Sequence, residues 1–126
     1  MENHLYKKEE VYAIIGAAME VHNQIGFGLS ESVYHEALMI EMAERGIPME
    51  SEKQLNFYYK GHLLEKRYFA DLVCYGDIII ELKAVNEIIP QYEAQLINYL
   101  KIAGLRLGVL INFGSSKLEY KRIVCG

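Results

Sequence analysis

Tyr68-Phe69-Ala70-Asp71-Leu72-Val73 and Ile78-Ile79-Ile80-Glu81-Leu82-Lys83 are two apolar runs that each carry charge, separated by Cys74-Tyr75-Gly76-Asp77. The Gly-Asp end of the separator has turn chemistry, so the runs read as adjoining strands. Strand periodicity sends Glu81 and Lys83 to one face and Leu82 to the other, and a short link brings Asp71 alongside. Two carboxylates a few ångströms apart repel each other unless a cation or a proton lies between them. Charged residues in such apolar strands are seldom buried without a purpose. Asp71 and Glu81 are therefore candidate ligands for a hard divalent cation, Mg2+ or Mn2+, with the carbonyl of Leu82 as a third. Such a cation polarises a phosphodiester, and Lys83 would orient water or neutralise developing charge. A lysine beside two acids stays protonated, which favours the electrostatic role. The plainer alternative is a strand-ending aspartate and an ordinary Glu-x-Lys charge pair.

On the N-terminal side, residues from about 8 to 24 place Val11, Ile14, Ile15, Ala18, Met19 and Val21 at helical spacing. Gly26-Phe27-Gly28 breaks that pattern, and Ser30 is an N-cap candidate for a second helix with Val33, Tyr34, Ala37, Leu38 and Met42 on its stripe. Gly46 and Pro48 stop it. The spacing then predicts strands over Leu55–Tyr59, Leu63–Val73 and Ile78–Lys83, with Lys60-Gly61 as a turn. A helix follows from about Gln91 to Ala103, then a buried strand over Leu107–Phe113 and an edge strand over Leu118–Val124. The helix between Lys83 and Arg106 is a crossover, so the strands it joins should run parallel. The expected class is α/β (α+β mixed), order ααβββαββ, a mixed sheet of about five strands flanked by helices, in one domain spanning 1–126.

Composition narrows the function. The chain has 126 residues, 52% of them hydrophobic, without low-complexity tracts. No apolar run approaches the roughly 20 residues that span a bilayer. The N-terminal stretch lacks a signal-peptide core, so a cytoplasmic location is expected. Two cysteines, Cys74 and Cys125, are too few for a disulfide scaffold and lack metal-ligand spacing. A net charge of −4 weighs against a general nucleic-acid coat. Local phosphate contacts stay open, because Lys60, His62, Lys66 and Arg67 cluster in sequence. Ten tyrosines are available for stacking, for a partner surface or for an amphipathic core. No P-loop, dinucleotide fingerprint, zinc knuckle or nucleophile elbow is present.

Gln95 and Tyr99 lie four apart on the crossover helix and share a face, with Tyr92 at its edge. They reach the site if that helix packs beside the Glu81 strand; alone, Gln95 reads as an exposed helix residue. Glu31 and Glu36 are further acidic candidates from the second helix, and capping is the simpler account of Glu31. His22 reads as structural.

The chain resembles the GxxExxY protein family, a compact branch of the PD-(D/E)XK nuclease superfamily. The signature stands as Gly28-Leu29-Ser30-Glu31-Ser32-Val33-Tyr34, and further matches are Tyr59-Lys60-Gly61, Ala70-Asp71-Leu72-Val73, Ile80-Glu81-Leu82-Lys83-Ala84-Val85, Ala94-Gln95-Leu96-Ile97-Asn98-Tyr99-Leu100 and Leu107-Gly108-Val109-Leu110-Ile111-Asn112-Phe113-Gly114. The resemblance implies a restriction-endonuclease-like sheet, Asp71 and Glu81 as metal carboxylates and Lys83 as the catalytic lysine. It also implies Gln95 as a polar active-site residue with Tyr99 nearby, and Glu31 as the signature glutamate. Ala70 replaces the superfamily's proline, which supplies no ligand. The expected function is metal-dependent phosphodiester hydrolysis in DNA or RNA, with a homodimer or a recruiting protein as partner. A noncatalytic nucleic-acid or protein interaction module is the alternative, and a small-molecule phosphohydrolase a third class.

Overall fold

A computed structural model describes residues 6–126, so part of the N-terminal stretch read above lies outside the described residues. The first helix, α1 (Lys8–Ile25), buries Val11, Ile14, Ile15, Ala18 and Val21, the stripe its periodicity predicts. Met19 belongs to the same spacing but is exposed, as is Val33 on α2 (Glu31–Glu44). The buried stripes are thus narrower than the sequence suggests. Ser30 occupies the N-cap with extended backbone, but its hydroxyl pairs with that of Ser32 at 3.2 Å instead of capping an amide. At the other end Gly46 adopts φ 71°, and Gly46 and Ile47 donate to the carbonyls of Ala43 and Met42. That is a Schellman closure, satisfying carbonyls the helix leaves open.

The tyrosine that ends the Gly28-to-Tyr34 stretch has a structural task. Tyr34 is fully buried, stacked on Phe113 with ring centroids 4.7 Å apart. Its hydroxyl donates to the Gly26 carbonyl at 2.7 Å and accepts from the Leu29 amide at 3.3 Å, pinning the glycine loop that leads into α2. Tyr34→Phe is expected to keep the stacking and lose about 1–2 kcal/mol of stability in urea unfolding, because it strips partners from two main-chain groups.

The main sheet has five strands in the order β1-β4-β5-β6-β7. These are β1 (Met49–Leu55), β4 (Tyr68–Cys74), β5 (Ile78–Lys83), β6 (Leu107–Asn112) and β7 (Glu119–Val124). β5 and β6 run parallel, joined by the crossover helix α3 (Pro90–Ala103), and the other neighbours are antiparallel. Helices α1 and α2 cover one face, over Leu72, Ile78, Ile80, Leu82, Val109 and Ile111. The other face is covered by α3, whose Leu96 and Leu100 meet Val73, Ile79 and Leu110.

Two predicted strands require correction. Leu55–Tyr59 is the end of β1 plus β2 (Tyr58–Tyr59), and Leu63–Val73 is divided between β3 (His62–Leu63) and β4. β2 and β3 form a separate two-stranded ribbon. Pairing of β1 with β4 skips Glu52 and Asp71 while keeping one register on both sides. Glu52 has φ 52°, and side-chain alternation inverts there: Ala70 and Leu55 face α3, whereas Leu72 and Met49 face α1 and α2. Asp71 therefore lies where its strand turns over.

Beyond β5 the chain is locked by Asn112, which is fully buried. Its Oδ1 accepts from the amides of Val85 and Gly114, and its Nδ2 donates to the Val85 carbonyl and Glu119 Oε1. A methyl group on Gly114 would collide with the main-chain nitrogen and oxygen of Val85. Gly114→Ala is expected to cost about 3 kcal/mol in urea unfolding, since only backbone movement relieves the overlap.

Candidate active site

The β4–β5 turn has Tyr75 at φ 55° and Gly76 at φ 78°, with the Asp77 amide donating to the Cys74 carbonyl at 3.2 Å. Two successive positive φ values suit the right-handed twist of a hairpin. From this turn the ladder pairs Cys74 with Ile78, Val73 with Ile79 and Leu72 with Ile80. One step further, carboxylates bond across to the main chain. The Asp71 amide donates to Glu81 Oε2 at 2.9 Å, and the Leu82 amide donates to Asp71 Oδ2 at 2.8 Å. Each acid is thus held by the backbone of the opposite strand, which fixes both side chains and brings them together as the hairpin predicts.

The electrostatics record the crowding. Glu81 is only 5% exposed, and its pKa is pushed up to about 8, first by burial and then by the Asp71 charge. The Asp71 amide and Lys83 pull it back. Burial likewise raises Asp71, against the opposing Leu82 amide, His35 and Lys83. Lys83 shares the face of Glu81, and its ammonium lies 4.5 Å from the centroid of the Tyr92 ring. Leu82 is buried with its side chain among α1 and α2, on the other face, as periodicity requires.

Residues from both covering helices reach this end of the sheet. On α3, Gln95 Nε2 donates to the Tyr99 hydroxyl at 3.4 Å. The Tyr99 phenol is raised by burial and then by the charges of Glu81 and Asp71. On α2, Glu31 is solvent-accessible in the first turn, yet partial burial and the Asp71 charge raise its pKa, while Lys83 and His35 lower it. Glu36 is exposed and is not among the charges acting on Asp71 or Glu81.

Sequence reasoning missed His35 and Glu52 as site residues. One ligand atom each from His35, Glu52 and Asp71 lies within 4.8 Å of the others. The His35 Nε2 is 3.0 Å from the Ser51 hydroxyl, and its Nδ1 is 3.8 Å from Glu52 Oε2. Helical spacing could have flagged His35, four residues after Glu31. Nothing local points to Glu52, whose position depends on the inverted strand.

A sequence profile of the PD-(D/E)XK nuclease superfamily matches residues 8–123. Among solved structures, the crystal structure of SSO0001 superposes with a TM-score of 0.56 at 18% identity, over 74% of this chain and 50% of that one. The chain therefore spans about half the length of that structural relative, and the likeness extends to the fold. No curated protein sequence matches significantly.

Proposed function

Since the chain belongs to the PD-(D/E)XK nuclease superfamily and has its restriction-endonuclease-like fold, we propose that it is a metal-dependent nuclease hydrolysing phosphodiester bonds in DNA or RNA, in the GxxExxY branch. The observation that carries this reading is the reciprocal pair of bonds between Asp71, Glu81 and the opposing main chain. It fixes two carboxylates side by side at the end of an apolar hairpin.

The donor set fits a hard divalent cation. Carboxylates from Asp71, Glu52 and Glu31 stand near one imidazole, that of His35, and Glu81 joins the set through Asp71 and Glu31. Oxygen-rich sets suit Mg2+ and Mn2+, and an imidazole tilts the preference toward Mn2+. The raised pKa of Glu81 comes first from burial, and the Asp71 and Glu31 charges that add to it would also favour a bound cation. Asp71 and Glu81 would hold the metal with their remaining oxygens, together with the carbonyl of Leu82. When bound, the cation supplies Lewis-acid polarisation of the phosphodiester and a more acidic water.

The chain's own groups do the rest. Lys83 offsets the charge that builds on the phosphoryl oxygens. Its ammonium lies over the Tyr92 ring, which limits where the charge can go. Gln95 and Tyr99 present linked polar groups on the same face to orient water or a phosphate oxygen. Glu31 adds a carboxylate from the α2 side.

The test is cleavage of labelled single-stranded and duplex DNA and RNA with Mg2+ or Mn2+. Divalent-dependent products that vanish with chelator support a nuclease. Intact substrates together with absent Mn2+ binding would move the noncatalytic module ahead.

A further inference from the structure

The segment after β1 carries an aromatic and cationic surface that metal chemistry leaves unexplained. Phe57, Tyr58, Tyr59, Leu63 and Leu64 are all exposed. Lys60, Lys66 and Arg67 intersperse them against one acid, Glu65, in a chain of net charge −4. Exposed rings alternating with cations are costly on a free surface and useful against a polyanion with flat bases.

The surface is built and held in place. The β2–β3 ribbon closes through Lys60 and Gly61, both left-handed, and the Leu64 amide donates to the Phe57 carbonyl at 3.0 Å. Arg67 donates to the carbonyls of Leu64 and Lys66, so its guanidinium braces the loop. Beside the ribbon lies a cavity of about 340 Å³, lined by Phe57, Leu64, Lys66, Tyr68, Asn98 and Lys101. Its size falls in the range of small-ligand pockets. Tyr68 joins it to the candidate active site: its ring lies 5.7 Å from that of Tyr99, and the Lys66 ammonium sits 5.5 Å from its centroid.

We propose that this cavity receives an unpaired base of single-stranded nucleic acid, so that the neighbouring phosphodiester reaches Asp71 and Glu81. The assignment rests on the nuclease reading of that site and names its substrate class. Phe57 and Tyr68 offer ring faces for stacking, Lys66 and Lys101 take phosphates, and the Asn98 amide meets a polar base edge. A base paired in a duplex stays stacked and cannot enter without being flipped out, so single strands are preferred.

Binding is measured by fluorescence anisotropy of full-length protein in chelator, with labelled oligodeoxythymidylate, oligouridylate and a duplex of matched length. Single strands are expected to bind at least about tenfold more tightly than duplex, and the two homopolymers report which sugar is accepted. Phe57→Ala should weaken single-strand binding about tenfold. Lys101→Gln should reduce the salt slope by about 0.7. Both residues are exposed, so neither change threatens the core. Equal affinity for duplex, or single-strand binding indifferent to both substitutions, overturns the proposal. Because no divalent ion is present, binding of this kind without later cleavage would sink the nuclease reading alone. Cleavage that ignores the pocket substitutions would sink the pocket alone.

Discussion

Asp71→Asn is expected to leave the fold intact and lower divalent-dependent cleavage by at least about 100-fold. The substitution is chosen for its geometry. Asparagine keeps an oxygen that can accept from the Leu82 amide, so the cross-strand bond at 2.8 Å survives while the charge is removed. Burial is the first cause of the raised Glu81 pKa and persists in the variant, but the lost charge is the second, so the neighbouring carboxyl should come down part of the way. Lys83→Ala removes an ammonium whose charge acts on Glu81 and should cost about 100- to 1000-fold in the same assay. Single-turnover cleavage with Mn2+, read beside circular dichroism, separates lost chemistry from lost structure. Folded variants that cleave as the parent does would remove both residues from the proposed mechanism.

How much of this was legible in the sequence depends on which forces set each element. The β4–β5 hairpin was legible because the apolar runs are continuous and Gly76 supplies a positive φ that few residues tolerate. The parallel pairing of β5 with β6 followed from the length of the connection alone, and α3 begins at Pro90, one residue before the expected start near Gln91, and is capped by Gly104. Strand periodicity alone puts Glu81 and Lys83 on one face, and helical periodicity alone puts Gln95 and Tyr99 on another, but which face of the sheet α3 covers is a tertiary matter. The edge strand β1 was opaque for a physical reason. Its run Met-Glu-Ser-Glu-Lys-Gln-Leu is polar on both faces, so no alternation marks it, and pairing with β4 is what makes it a strand. Inversion at Glu52 then reverses which side chains face inward, a tertiary consequence that no local window contains. His35 escaped for a related reason. It gains a partner carboxylate only once Glu52 is carried past it.

The metal-free protein should be most stable at acidic pH, and Glu81 should be the largest single cause. Its pKa is pushed up to about 8 from an ordinary value of 4.5. A carboxyl raised in the folded state binds its proton more tightly there than in the unfolded chain. Its stabilising contribution is therefore complete below pH 4.5 and is lost as pH climbs through the folded value near 8. At about 1.4 kcal/mol per pH unit, the loss is on the order of 5 kcal/mol at most. Asp71, raised in the same direction, adds to it. Glu81→Gln removes the titration while retaining an oxygen for the Asp71 amide. In chelator, that variant should exceed the parent in urea-unfolding stability at pH 9, and the gap should close by pH 5. Mn2+ should reverse the ranking at alkaline pH, because a cation that binds the ionised pair stabilises only the native parent. It should also release close to one proton per site at pH 7, where the pair still holds one. Parallel stability profiles for parent and variant from pH 5 to 9 would show that burial and the Asp71 charge together do not hold a proton on Glu81. The strongest physical argument for a cation between them would then be gone.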